Sequence, residues 1–304
     1  MVVHMNISDD ELSIIVQGPT RLKDTKAALM VCRSARQVFP NSEIIVSCWI
    51  DDDVAGINLY ADKLVQSTDP GGQAHANGML NVNRQIHSTN AGLKYSKRKY
   101  TLKIRSDLLI INTNIVRHFE SVRRAFWLKH QREPILISNL TTVNPQYHNR
   151  CFALCDWIYF GRTDQIKSLF SIPFYPPEYL DYKVDGNTAL RYNAEQWIAM
   201  NFLMNVNKQF AFPPHGYCAD NDIKRLHTEF IGKYFALKSY YALGIKTLKH
   251  RISSFNFPIM YTEREWNNEF NNKFKFIDIE RLVTTALYSS ISRKLARAIR
   301  REHN

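Results

Sequence analysis

Short apolar runs recur along the first half of the chain, and segments with helical periodicity separate them. The runs lie at Leu12–Val16, Glu43–Trp49, Lys63–Val65, Tyr100–Ile104 and Ile135–Ser138. A helical apolar pattern fills Thr25–Val38, and a second one lies within Asn77–Lys97. Strands that alternate with helices in this way predict an α/β fold with a Rossmann-like, mostly parallel sheet flanked by helices.

The second half of the chain is less regular. Loops rich in Pro and Tyr follow Pro134, and helical segments dominate from Thr228 onward. The sequence contains no strong linker, and we expect one catalytic α/β domain over residues 1–227. A C-terminal helical extension over residues 228–304 would follow it.

Composition limits the class of protein. Apolar residues make up 45% of the chain, which is enough for a sizeable core, and the five cysteines are an odd, scattered set. Such cysteines are typical of a reducing compartment, so we expect a cytoplasmic protein. The N-terminus lacks the pattern of a signal peptide, and no run of about 18 apolar residues predicts a membrane-spanning helix.

The formal net charge is +12, which bears on binding partners rather than on fold. Ile291–Arg301 combines five cations with apolar residues at helical spacing. This pattern indicates a basic amphipathic helix that binds an anionic membrane surface, although a solvated helix or a protein-docking tail fits it too. Nucleic acid is not expected as a partner, because no known nucleic-acid-binding motif is present.

One segment predicts a carboxylate at the end of a central strand. Lys103 and Arg105 lie on the predicted strand, and Asp107 follows it. Ligands of open α/β sheets bind beyond the carboxyl ends of the strands. A carboxylate there can hold a divalent cation, and neighbouring cations suit a phosphorylated ligand. The alternative is a solvated Asp107 that caps the next turn.

Polar residues also follow the first two strands. Gln17, Gly18, Pro19 and Arg21 come after the first, and Trp49 ends the second. Glycine permits a close approach of the backbone to a ligand, and Gln17 can pair with a base or ribose edge. Neither a dinucleotide-binding glycine motif nor a P-loop is present, so a simple tight turn is the alternative.

The second predicted helix has a polar stripe that contains Asn81, Arg84 and Gln85 and an apolar stripe opposite it. We expect Arg84 and Gln85 to face the ligand. The alternative is that Arg84 pairs with a nearby acid.

Several motifs occur together in a fixed order between Ile14 and Leu203. They are Gln17-Gly18-Pro19, Ser47-Cys48-Trp49, Asn81-x-Asn83-Arg84-Gln85, Lys103-x-Arg105-Ser106-Asp107, Asp156-Trp157 and Glu195-Gln196. This set resembles the WavE family of bacterial lipopolysaccharide-synthesis proteins, which look like glycosyltransferases of the GT-A fold. The resemblance implies transfer of a sugar from a nucleotide-sugar donor to a growing cell-surface glycan, and the basic segment Ile291–Arg301 predicts that the enzyme meets lipid-linked acceptors at the cytoplasmic face of the inner membrane. The alternatives are a nucleotidyl- or sugar-phosphate transferase and a non-catalytic basic binding module.

The resemblance also implies a donor site. GT-A enzymes carry an Asp-x-Asp motif that binds a divalent cation such as Mg²⁺ or Mn²⁺, whereas this chain has Arg105-Ser106-Asp107. Asp107 would be the one metal ligand of the motif, or Arg105 would neutralise the diphosphate directly. The implied donor-binding residues are Gln17, Gly18, Pro19, Arg21, Trp49, Asn81, Arg84, Gln85, Lys103, Arg105, Ser106 and Asp107.

Two further segments supply candidate catalytic groups. Asp156 beside Trp157 suits sugar recognition, with Trp157 against the acceptor, unless Trp157 is a buried structural residue. Asn193 and Gln196 match the pattern that caps a helix start, with Glu195 between them. By the resemblance, inverting enzymes place a general base at such a helix start, so Glu195 is preferred to Asp156 as the base.

Overall fold

The computed structural model of the protein describes residues 7–184, 186–249 and 257–270. Its strands are β1 (Leu12–Gln17), β2 (Glu43–Trp49), β3 (Lys63–Ser67), β4 (Gln73–His75), β5 (Gly78–Leu80), β6 (Tyr100–Arg105), β7 (Leu108–Ile110), β8 (Ile135–Ser138), β9 (Ile158–Arg162), β10 (Tyr182–Val184), β11 (Asn187–Ala189), β12 (Phe235–Lys238) and β13 (Ile245–Thr247). Its α-helices are α1 (Ala27–Val38), α2 (Val82–Leu93), α3 (Asn114–His130), α4 (Thr163–Phe170), α5 (Ala194–Val206), α6 (Asn221–Tyr234) and α7 (Glu263–Phe270).

A seven-stranded sheet forms the centre of the protein, in the order β12-β8-β9-β6-β1-β2-β3. β1 is parallel to both of its neighbours, β6 and β2, and the pairs β2–β3 and β8–β12 are also parallel. β9 is antiparallel to β6 and β8. The predicted α/β fold with a mostly parallel sheet is therefore confirmed.

Both faces of the sheet are covered by helices. Ile14 and Val16 of β1 belong to the core beneath α1 and α3, whereas Ile15 belongs to the core beneath α2, α4 and α5. All three side chains are completely buried. The burial of each contributes roughly 1.5–3 kcal/mol to the free energy of folding. Gly92 lets α2 approach the sheet closely, because a Cβ atom there would lie 2.8 Å from Cγ2 of Ile15.

Part of the expected C-terminal extension joins the central sheet. β12 pairs with β8 at the sheet edge, and β13 pairs with β7. The described residues after 227 are therefore not helical throughout, and the division into domains at residue 227 stays a prediction. The basic segment Ile291–Arg301 lies outside the described residues. Within the described ranges, the helices are too short or too polar to cross a lipid bilayer.

Candidate functional site

A cavity of about 470 Å³ lies at the carboxyl ends of β1, β2 and β6, a size that suits a small-molecule ligand. Its walls are formed by Gln17, Gly18, Pro19, Arg21, Leu22, Ala27, Trp49, Asp69, Asn81, Val82, Arg84, Gln85, Arg105, Ser106, Asp107, Asp156, Ala194 and Lys249. This is the sheet edge at which α/β proteins bind ligands. The structure thus brings together eleven of the twelve expected donor-binding residues, and only Lys103 is missing from the walls.

Backbone and hydroxyl hydrogen bonds hold the ends of β1 and β6 together beneath the cavity. The backbone N–H of Ser106 donates to the carbonyl of Gln17 at 2.8 Å, and its hydroxyl donates to the carbonyl of Pro19 at 2.7 Å. Gly18 has φ +119°, and a Cβ atom there would lie 3.0 Å from Oγ of Ser106. Glycine therefore permits this turn, and Ser106 fixes it.

Arg105 and Asp107 form a bidentate ion pair in the cavity wall. Nε of Arg105 donates to Oδ1 of Asp107 at 3.0 Å, and a terminal nitrogen donates to Oδ2 at 2.6 Å. Burial opposes the charge of Arg105, but Asp107 holds the pKa of Arg105 above its ordinary value. The guanidinium also lies 4.6 Å from the ring centre of Trp157. Charge pairing and stacking together give the guanidinium one orientation.

This ion pair bears on the expected divalent cation. Both oxygens of Asp107 already accept hydrogen bonds from a cation, and a metal ion at Asp107 would stand beside the like charge of Arg105. In the part of the chain that the structure describes, no group of three or more His, Cys, Asp or Glu residues is arranged to hold a metal ion. The described residues therefore do not fit a Mg²⁺ or Mn²⁺ site built on Asp107.

Arg84 lines the cavity and is held by an acid, as the structural alternative predicted. Its guanidinium binds both oxygens of Asp69 at 2.5–3.0 Å and the side-chain oxygen of Asn81 at 2.9 Å. The hydrogen bonds to Asp69 raise the pKa of Arg84. Arg21, at the other side of the cavity, pairs with Asp53 at 3.0 Å. Pairing does not exclude donor contact for either arginine, because the guanidinium of each has further N–H groups.

Lys103 lies beneath the cavity, and of the twelve expected donor-binding residues it is the one that does not form part of the cavity wall. Its side chain is completely buried, and the ammonium donates to the backbone carbonyl of Asp156 at 2.6 Å. Burial lowers the pKa of Lys103 to about 8. Gln85 donates its side-chain amide to the same carbonyl at 2.8 Å. Two side chains from different elements thus fix Asp156, whose own side chain borders the cavity.

Glu195 lies in the first turn of α5, next to the cavity-lining Ala194. The predicted capping box is present: Asn193 accepts a hydrogen bond from the backbone of Gln196, and Gln196 accepts one from the backbone of Asn193. Burial and then the negative charge of Asp156 raise the pKa of Glu195 well above its ordinary value. Asp156 and Glu195 therefore form an interacting carboxylate pair, in which the proton on Glu195 is stabilised.

Trp157 does not line the cavity. Its side chain is 6% exposed and belongs to the core beneath α1 and α3, and the Arg105 guanidinium covers its ring. The buried structural alternative therefore describes its position, and the expected contact with an acceptor is not supported.

Sequence reasoning missed Lys249. The antiparallel pair β7–β13 brings this lysine to the cavity, and the backbone N–H of Leu248 donates to the carbonyl of Asp107 at 2.8 Å. No local pattern around Lys249 signals this contact, because it depends on pairing between strands far apart in the chain.

The fold and the cavity define an α/β protein with a candidate ligand site at the carboxyl ends of its central strands. The chain belongs to the WavE lipopolysaccharide synthesis family, whose sequence profile matches residues 12–301. No curated protein sequence matches significantly.

Solved structures with some likeness to this chain include TarS of S. aureus, with 14% sequence identity and a TM-score of 0.37. That match covers 76% of this chain and 41% of the TarS chain, which is less than half of its length. A structure of TarS 1–349 in complex with UDP-GlcNAc matches over 76% of this chain and 69% of its own, with 14% identity and a TM-score of 0.36. A putative glucose-1-phosphate thymidylyltransferase from Bacillus anthracis matches over 57% of this chain and 79% of its own, with 10% identity and a TM-score of 0.32.

Proposed function

We propose that this protein is a glycosyltransferase that moves a sugar from a nucleotide-sugar donor to a growing cell-surface glycan, such as lipopolysaccharide core, O-antigen or capsule. One observation supports this most directly. A cavity in a chain of the lipopolysaccharide synthesis family combines an oriented cation, Arg105, with the carboxylate of Asp156, and Glu195 follows the cavity-lining Ala194 directly. Glycosyl transfer needs both, because a phosphate leaves and a hydroxyl loses its proton.

The nucleoside would occupy the β1–β2 side of the cavity. Trp49 lines this side with 9% of its surface exposed and stacks against His87. Oε1 of Gln17 is buried and accepts no hydrogen bond from any described residue. An unsatisfied buried acceptor costs about 1–3 kcal/mol. An N–H group of a base or a hydroxyl of ribose would remove that cost.

The reacting centre would lie between Arg105 and the carboxylate pair. Arg105 would stabilise the negative charge that develops on the departing phosphate. Glu195, or Asp156 beside it, would accept the proton of the acceptor hydroxyl as its oxygen attacks the sugar. The raised pKa of Glu195 brings that group closer to neutral pH, where a general base is most effective.

The acceptor would be a glycan or a lipid-linked glycan at the cytoplasmic face of the inner membrane. Its hydroxyl would enter beside Ala194, where the start of α5 borders the cavity. The basic segment Ile291–Arg301 would attract an anionic membrane surface, with each cation contributing about 1 kcal/mol.

A hydrolysis panel tests the proposed class of enzyme. The full chain is incubated with UDP-, GDP-, ADP-, dTDP- and CMP-sugars, and release of the free nucleotide is measured. We expect slow release from at least one donor and a lower rate with Glu195→Gln. Formation of a nucleotide-sugar from a nucleoside triphosphate and a sugar phosphate, with no release from any donor, would instead identify a nucleotidyltransferase.

A further inference from the structure

We propose that two side-chain cations, Arg105 and Lys249, neutralise the donor's diphosphate in place of a divalent cation, and that Asp107 serves to orient Arg105. This inference rests on the proposed function, because it concerns the donor of that reaction. It gives Asp107 a positioning role instead of the metal-binding role that the Asp-x-Asp resemblance implied.

The first observation is the geometry of Arg105. Asp107 accepts hydrogen bonds from Nε and from one terminal nitrogen of the Arg105 guanidinium. The ring of Trp157 covers one face of the same guanidinium. Two of the five N–H donors are thereby engaged, and the others remain available for phosphate oxygens. The Arg105 side chain is 25% exposed and lines the cavity, whereas that of Asp107 is 9% exposed. The cation therefore reaches the ligand space more fully than the carboxylate does.

The second observation is the position of Lys249. Each cavity-lining arginine lies against an acid: Arg21 against Asp53, Arg84 against Asp69 and Arg105 against Asp107. Lys249 is exposed in the cavity wall, and it makes no ion pair with any residue that the structure describes. Its ammonium is a compact charge with three donors on a flexible stem, which suits a phosphate group.

The third observation is the link between the two cations. The hydrogen bond from Leu248 to the carbonyl of Asp107 ties the backbone beside Lys249 to the backbone of the Arg105–Asp107 segment. Among the cavity-lining residues, cationic side chains outnumber carboxylates. A nucleotide diphosphate would therefore enter a site that already carries compensating charge, and a divalent cation there would be repelled by Arg105.

The chain contains a matched control for Arg105. Arg162 and Asp164 have the same spacing, at the end of β9, and Nε of Arg162 donates to Oδ1 of Asp164 at 3.1 Å. That pair is more exposed and does not line the cavity. Removing Arg162 therefore removes an equivalent ion pair without touching the proposed donor site.

Calorimetric titration of the full chain tests the inference. The nucleoside diphosphates UDP, GDP, ADP and dTDP are each titrated with EDTA and, separately, with Mn²⁺ present. We expect the nucleotide that binds best to have the same affinity under both conditions. Arg105→Ala and Lys249→Ala should each weaken it by about tenfold or more, and Arg162→Ala should leave it unchanged. Lys249→Ala is the safer variant for folding, because Lys249 is exposed.

A gain-of-dependence variant sharpens the test. Arg105→Asp places a second carboxylate near Asp107, and we expect its nucleotide binding to be lost in EDTA and restored by Mn²⁺. Wild-type binding that requires Mn²⁺ would overturn the inference and leave the proposed function standing. Absence of nucleotide binding under both conditions would overturn the proposed function, and this inference with it.

Discussion

The buried ammonium of Lys103 lies 2.6 Å from the backbone carbonyl of Asp156, so a cation of the central strand holds a cavity carboxylate in place from below. Lys103 belongs to β6, and Asp156 lies two residues before β9, which is the antiparallel neighbour of β6. The position of Asp156 therefore depends on the register of that strand pair.

Lys103→Met should lower the transfer rate by about tenfold to a hundredfold, because a catalytic group displaced by a fraction of an ångström reacts poorly. Donor affinity should change little, since Lys103 does not line the cavity. Steady-state kinetics would show this as a fall in kcat with a nearly constant donor KM. Lys94→Met, on an exposed part of the chain, is the control. A large rise in KM with unchanged kcat would contradict the positioning role.

Glu195→Gln should lower glycosyl transfer by about a hundredfold to ten-thousandfold if the reaction inverts the anomeric centre, as expected for a missing general base. The capping box involves Asn193 and Gln196 rather than the Glu195 side chain, so the variant should fold normally. Transfer assays together with circular dichroism would separate the two effects. A folded variant that retains wild-type transfer would leave Glu195 with a structural role alone.

The same residue predicts a pH dependence of stability. Burial and Asp156 raise the pKa of Glu195 above its ordinary value of 4.5. The folded protein therefore binds more protons at this site than the unfolded chain does. The stabilisation is complete below pH 4.5 and is lost as the pH rises through the folded-state pKa.

Glu195→Gln removes this titration. We expect the free energy of unfolding of the wild type to fall, relative to that of the variant, between about pH 5 and about pH 8. Urea denaturation at the two pH values measures the difference. An unchanged difference would show that Glu195 titrates normally.

Gly18→Ala should destabilise the protein more than Gly78→Ala. Both glycines have positive φ, +119° and +136°, so alanine costs roughly 1–3 kcal/mol of backbone strain at either position. A Cβ atom at Gly18 would also press on Oγ of Ser106, whereas one at Gly78 meets nothing within 4 Å. The difference in the free energy of unfolding between the two variants therefore reports the contact between the β1 and β6 ends. Equal losses would show that the turn can shift without cost.

Much of the fold and of the cavity could be predicted because local patterns encode them. The apolar runs define β1, β2 and β6, and parallel strands bring their polar ends to one edge of the sheet. Gln17, Trp49 and Arg105 were found in this way. The cap at Asn193 also follows from neighbouring residues alone.

The remaining features depend on contacts that sequence periodicity does not encode. β6 is buried on both faces, so its alternation could not show that Lys103 lies beneath the cavity. Trp157 next to an acid looked like a sugar contact, but the guanidinium of Arg105, at the end of β6, covers its ring. Lys249 reaches the site only through the β7–β13 pairing.

The central claim is that the protein forms a glycosidic bond, and the most direct test is the mass of an acceptor glycan after reaction. Lipid-linked and free lipopolysaccharide-type glycans are incubated with the full chain and each nucleotide-sugar, and the products are analysed by mass spectrometry. We predict that one donor increases the acceptor mass by one sugar residue, and that Glu195→Gln produces far less of this product. Transfer of a nucleotidyl or sugar-phosphate group instead of a sugar would contradict the claim.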